Sequence, residues 1–379
     1  MPPGGLPAAD GGETGSLRAD RRVRRFGRLG TTTGLVAAAS AMVLALGACG
    51  GSDGNSTAPA ASGSAAGKTL KVGLAYDIGG RGDKSFNDSA AAGLDKATKE
   101  LGVKPSELEA TDGETDAQKE ERLRQLADAG NNPIIAVGFA YATALGKVAP
   151  DYPDTNFAII DDATLVKVPN VASLTFAEEQ GSFLVGAVAA QATKTGNIGF
   201  VGGVNTPLIQ KFQAGYEAGA KAVKPDIKIQ VTYLTQPPDF SGFSDPAKGQ
   251  TAAAGMYDSG ADVVYHAAGG SGGGVFTAAK AAGKLAIGVD SDQYTSAAAD
   301  VQPVILTSMI KHVDVAVYDM IKSAVDGKPL TGQKIYDLKV GGVAYATSNS
   351  AIGPYTAKVD EFKAKIISGE IKVPTTPSS

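Results

Sequence analysis

From Lys68 onward, short apolar runs alternate with helical patterns, and no other feature of the sequence constrains the fold as strongly. The runs "LKVGLAY", "PIIAVGF", "NFAIID", "NIGFVGG", "IKIQVTYL", "ADVVYHAAG" and "LAIGVD" each have the length of a buried strand. None alternates strictly between apolar and polar residues, as expected of parallel strands covered on both faces. Between them, "DAQKEERLRQLADAG" carries charge on one face and stops at Gly130, a residue suited to a helix C-terminus. The segments "TPLIQKFQAGYEAGAKAV" and "DPAKGQTAAAGMYDSG" follow the same plan. This order predicts an α/β fold of doubly wound parallel sheets, with too many units for one sheet and enough for two lobes. No repeat of 20–50 residues is visible.

The N-terminus is of another kind. Arg18, Arg21, Arg22, Arg24, Arg25 and Arg28 precede the apolar run "GLVAAASAMVLALGA" at residues 34–48, the form of a secretory signal peptide. The run is short of the roughly 20 residues a membrane span needs. "LGAC", Leu46 to Cys49, resembles the lipobox of bacterial lipoprotein precursors, in which the cysteine is diacylated and becomes the first mature residue. Cys49 is the single cysteine of the chain, so no intramolecular disulfide forms. The Gly/Ser/Ala/Pro stretch after it cannot bury a core and reads as a flexible tether. The expectation is a signal peptide over 1–48 and a linker over 49–67, on the extracytoplasmic face of the membrane. Two acyl chains suffice for stable attachment. A net charge of −4 gives no support to nucleic-acid binding.

In open parallel sheets, ligands bind beyond the carboxyl ends of the strands. Asp77, Phe139, Asp161, Asp162, the "GGSGGG" run and Asp290 fall at such ends. A single strand-end Asp is more often a cap or turn residue, but several in one chain argue for a shared cleft. Asp161 and Asp162 are adjacent on a strand end and point to opposite faces, so they do not share a site. "VGLAYDIGGRGDKSFND" is not a phosphate loop, because Asp83 separates Gly82 from Lys84 and places a negative charge where phosphate would lie. Nor does it fit a calcium loop, and Gly269–Gly274 does not match the dinucleotide fingerprint. His266 and His312 have no nucleophile at a recognisable elbow, and no metal or other cofactor motif is present, so no enzyme is expected.

The blocks "YDIGGRGDKSFNDSAAAGL", "FAIIDD", "FAEEQGSFLVGAVAA", "FQAGYEAGAKAV", "DPAKGQ", "GADVVYHAAGGSGGGVF", "AIGVDSDQY" and "SMIKHVDVAV" resemble, in order, those of the basic membrane protein family. Its members are substrate-binding lipoproteins of ABC importers with the type I periplasmic-binding fold that bind purine nucleosides. The resemblance runs from about Lys68 to Lys365. It implies a base sandwiched between Phe86 and Phe212, purine-edge contacts from Asn87 and Asp161, and Asp77 near the base or the cleft floor. Ribose contacts map to Asp290, Lys311 and the backbone of Gly269 and Gly270, with an Asp290–Lys311 pair serving the vicinal hydroxyls. Implied partners are a permease and an ATPase. Lobe 1 is expected over 68–177 plus about 308–335, lobe 2 over 178–307 plus about 336–372, and a loose tail over 373–379. Crossings between lobes are expected near Thr175–Gln180, Thr307–Lys311 and Gln333–Leu338. A sugar or other polar ligand on the same fold, and a surface sensor or adhesin, stay open as alternatives.

Overall fold

The first sheet contains β1 (Lys71–Ala75), β2 (Lys104–Leu108), β3 (Ile134–Ala136), β4 (Phe157–Ile160) and β5 (Val171–Phe176). These strands come from a computed structural model that describes residues 69–111 and 113–378. The expected signal peptide, Cys49 and the 49–67 linker lie outside the described residues. The strands are all parallel, in the order β2-β1-β3-β4-β5, with α1 (Phe86–Leu101), α2 (Asp116–Asp128) and α3 (Ala142–Val148) between them. After α4 (Glu178–Ala192), a second sheet repeats the plan. Its strands are β6 (Asn197–Val204), β7 (Lys228–Thr235), β8 (Val263–Ala267), β9 (Leu285–Asp290) and β10 (Ile305–Lys311), in the order β7-β6-β8-β9-β10. Its helices are α5 (Pro207–Val223), α6 (Pro246–Asp258), α7 (Gly272–Ala282) and the single turn α8 (Gln293–Ser296). Both lobes fall in one unit spanning Ser64–Ser379.

The chain crosses between the lobes three times. After β5 it enters α4, which packs on α5 of the second lobe. After β10 it returns through α9 (Val313–Val325), which packs on α1, and β11 (Gly332–Tyr336) joins the first sheet beside β5. It then crosses again to β12 (Val343–Tyr345), antiparallel to β10, and ends in α10 (Gly353–Ser368). Backbone bonds tie the crossings together: Ala177 N donates to Tyr336 O at 3.0 Å, and His312 N donates to Gly342 O at 2.9 Å. Residues 308–311 continue β10 within the second sheet, so the return to the first lobe begins at His312 and not at 308. The final residues, expected to be loose, reach α5, where Ser378 Oγ donates to Glu217 Oε2 at 3.3 Å.

The strands absent from the apolar runs have physical reasons to be quiet. β2, "KPSEL", is an edge strand with little burial, held by backbone pairing to β1. β5 and β10 carry Ser173, Thr307 and Ser308 into buried positions, which interrupts their apolar character.

α4 and α5 approach each other through glycines. A methyl group at Gly219 would collide with the Phe183 carbonyl oxygen, and one at Gly186 with that of Tyr216. Gly255, in α6, has open space around it. Gly219→Ala is therefore expected to cost about 1–3 kcal/mol through overpacking, while Gly255→Ala stabilises by up to ~1 kcal/mol through helix propensity. Thermal or urea unfolding of the two variants checks the opposite signs.

Candidate functional site

In both sheets the strand order reverses between the first and third strands, and a crevice opens there at the carboxyl ends. The two crevices face each other. One cavity between them is lined by Asp77, Phe86, Asn87, Phe139 and Asp161 from the first lobe. From the second lobe come Phe212, Phe243, Gly269, Asp290 and Lys311. Gly270 is not on its wall; it sits on the adjoining rim, where an added methyl would lie 3.4 Å from Phe243 O. Asp162 is also outside, its Oδ1 accepting from Thr164 N at 2.8 Å.

The loop between β1 and α1 carries its own anion. Asp83 Oδ1 accepts from the backbone N–H of Ser85 (2.8 Å) and Asp88 (3.1 Å). Its Oδ2 accepts from Asn87 N (2.8 Å) and Asn87 Nδ2 (3.1 Å). A helix N-terminus with free N–H groups is a ready anion site, and here Asp83 fills it. Burial pushes the Asp83 carboxyl up to about 6 even so, against the pull of those backbone bonds. Asn87 is largely spent on this loop: Nδ2 also donates to Ile78 O at 3.2 Å, and Oδ1 accepts from Asp77 N at 3.1 Å. What Asn87 offers a ligand is one remaining oxygen lone pair.

The centre of the site is the Lys311 ammonium, at the end of β10. Its Nζ donates to Asp161 Oδ2 at 2.5 Å and lies 3.4 Å from Glu178 Oε1. It stands 5.0, 5.1 and 5.5 Å from the ring centres of Phe176, Phe86 and Phe212. The ion pair expected between Lys311 and Asp290 is formed with Asp161 instead, while Asp290 Oδ2 accepts from Ser85 Oγ at 2.6 Å. Each acidic strand end is thus bonded to the opposite lobe. Both carry a positive φ, +69° at Asp161 and +65° at Asp290, a conformation that costs non-glycine residues energy and gathers at functional sites. Further bonds close the rim: Ser291 Oγ and Gln293 Nε2 donate to Lys84 O at 2.8 and 2.9 Å.

Carboxylates outnumber ammonium groups in this cavity, and the carboxyl pKa values rise accordingly. Burial pushes Asp161 up to about 7, with Lys311 pulling down and Glu178 adding to the rise. Burial likewise takes Asp77 to about 6 and raises Asp290. At Lys311 burial opposes the charge, and Asp161, Glu178 and Asp290 together more than offset it, so its pKa is raised. His266 is wholly buried and pushed down to about 4, a neutral ring within the second lobe.

Sequence reasoning did not single out Phe243, the Leu208–Ile209 pair on the cavity wall, or Glu178. An acidic residue opening a helix looks like an ordinary dipole partner, and nothing local marks Glu178 as fully buried.

A carboxyl group whose pKa is raised in the folded state binds protons more tightly there than in the unfolded chain. Its contribution to stability is then fully present below the unfolded pKa near 4 and is lost as pH rises through the folded value. For Asp161 that window runs from about pH 4 to about 7. Asp161→Asn removes this titration, so the fall in melting temperature between pH 4 and 7 should be shallower in the variant than in the parent, measured without ligand.

A family model described as ABC transporter substrate-binding protein PnrA-like matches residues 70–377. The chain is 38% identical over 352 residues to the "CD4+ T-cell-stimulating antigen" of Listeria monocytogenes, a match covering 88% of this chain and 95% of that one. It is also 38% identical over 327 residues to the "ABC transporter nucleoside-binding protein BmpA" of Lactococcus lactis, over 81% of this chain and 89% of the relative. Among solved structures, an ABC transporter solute-binding protein from Aeropyrum pernix superposes with a TM-score of 0.71 at 32% identity, covering 82% of this chain and 94% of that one. Two lobes of matching topology, a cleft at their switch points and a family match spanning both place this chain in the PnrA-like family of ABC transporter substrate-binding proteins.

Proposed function

We propose that this protein captures purine nucleosides between its lobes and delivers them to the permease and ATPase of an ABC importer. The observation that carries the reading is that Phe86 of one lobe and Phe212 of the other line the same cavity, each with its ring near the Lys311 ammonium, at 5.1 and 5.5 Å. Aromatic faces on both sides of a gap suit a flat base, worth roughly 1–3 kcal/mol per stacked base. Asp161 has Oδ2 on Lys311 while Oδ1 is buried and unpartnered at the cavity wall. Ionised, that oxygen accepts from the ring N–H of a 6-oxopurine. Asp290, Lys311 and the Gly269 backbone supply acceptors and donors for ribose hydroxyls. The excess of carboxylates disfavours a phosphorylated ligand, and the name of the Lactococcus relative points to nucleosides as well.

Closure would turn about the three crossings, with the lobes spanning 69–176 and 313–336 on one side and 178–311 and 343–368 on the other. We assign the anchor to diacylated Cys49, which tethers the receptor to the extracytoplasmic face of the membrane.

Calorimetry with inosine, guanosine, adenosine, uridine and ribose tests the ligand class. Binding of purine nucleosides is expected; ribose binding with every purine nucleoside inert would overturn the reading. Phe86→Ala and Asp161→Ala should each weaken purine binding at least tenfold, about 1.4 kcal/mol. Cys49→Ala should move the protein from the membrane fraction to the soluble one, and unchanged membrane retention would refute the anchor.

A further inference from the structure

Glu178 is the first residue of α4, immediately after the chain first crosses between the lobes, and it is fully buried. Its Oε2 lies 3.2 Å from Lys211 Nζ, on α5 next to Phe212, and its Oε1 lies 3.4 Å from Lys311 Nζ. Oε1 has no hydrogen-bond partner. The carboxylate therefore connects the first two crossings to the ligand cleft: Lys311 ends the strand from which the chain crosses back, and Glu178 opens the helix that follows the first crossing. Lys311 is thus shared between two buried carboxylates, Asp161 and Glu178, and Glu178 in turn is shared between Lys311 and Lys211.

We propose that Glu178 is a positioning residue of this site, holding the Lys311 ammonium at the cavity wall and setting the charge on Asp161 without touching the ligand. The proposal rests on the nucleoside reading above. Two carboxylates bear on the ammonium, Asp161 from the first lobe at 2.5 Å and Glu178 from the second at 3.4 Å. The groups facing this centre are Lys311 from β10, Lys211 from α5, Asp161 beyond β4, Asp290 at the end of β9 and Glu179 beside Glu178. Of these, Glu178 and Asp290 oppose ionisation of Asp161, and Lys311 favours it. Removing the Glu178 charge makes Asp161 easier to ionise. Since the ionised carboxylate accepts from the base, inosine affinity in the parent protein rises with pH through the Asp161 titration, and loss of Glu178 moves that rise to lower pH.

The test is inosine affinity by calorimetry from pH 5 to 8.5 for the parent, Glu178→Gln and Glu178→Asp. Glu178→Gln is expected to shift the midpoint down by about one pH unit, the scale of a nearby like charge. Glu178→Asp keeps the charge and should hold the midpoint near the parental value, with weaker affinity from its shorter reach. Superimposable profiles for the parent and Glu178→Gln, or the same shift in both variants, would overturn the proposal. If the parent binds no nucleoside, the functional reading fails, and the melting temperature between pH 4 and 7 without ligand decides the present point. A shallower fall in Glu178→Gln than in the parent supports the coupling, and identical slopes refute it. If the Gln variant does not fold, weaker inosine affinity at the parental midpoint in Glu178→Asp supports the proposal, and a shifted midpoint or unaltered affinity refutes it.

Discussion

The ammonium of Lys311, removed from water and held between Asp161 and Glu178 under three phenyl rings, is the interaction on which the site depends. Burying an isolated lysine charge costs several kcal/mol, so the ammonium persists only where carboxylates surround it. Those carboxylates come from different parts of the chain: Asp161 from the first sheet, Glu178 from the helix after the first crossing. The ion pair with Asp161 spans the cleft, which makes the favourable electrostatics conditional on the lobes being together. The same charge that bridges the lobes also borders the cavity between them.

The two lobes repeat one topology, and the site uses the repetition. Asp161 follows β4 and Asp290 ends β9, the corresponding strands of the two sheets, and both adopt a left-handed backbone. Asp161 accepts from Lys311 and Asp290 from Ser85, each across the cleft. α4 packs on α5 and α9 on α1, so the helix after each lobe's fifth strand belongs to the other lobe. The three crossings are bonded to one another through the backbone, Ala177 to Tyr336 and His312 to Gly342.

Ligand chemistry follows from which charges are already compensated. The N-terminus of α1, which in a phosphate-binding loop would await an anion, is occupied by the Asp83 carboxylate. Lys311 is committed to Asp161, and the remaining carboxylates leave the cavity acidic. An uncharged, flat molecule rich in hydroxyl groups meets these demands without bringing a further buried charge.

The fold class, the strand-end location of the site and the exclusion of a phosphate loop were legible in the sequence, because they depend on local pattern: runs of buried apolar residues, glycines at turns, and Asp83 between Gly82 and Lys84. The stacking and ribose candidates came from resemblance, since a phenylalanine near a helix start reads locally as core. Less was readable where pairing is non-local. The polar edge strand β2 is held by backbone bonds that side-chain pattern does not report, and β10 runs to Lys311 because β9 and β12 flank it. Tertiary structure alone decided that Lys311 pairs with Asp161 and not Asp290, and that Asn87 spends its amide on its own loop. It alone made Glu178 a buried member of the centre. The sequence by itself determined which chemical groups stand at the strand ends; their partners depended on distances and burial set by packing two lobes against each other, which no local pattern encodes.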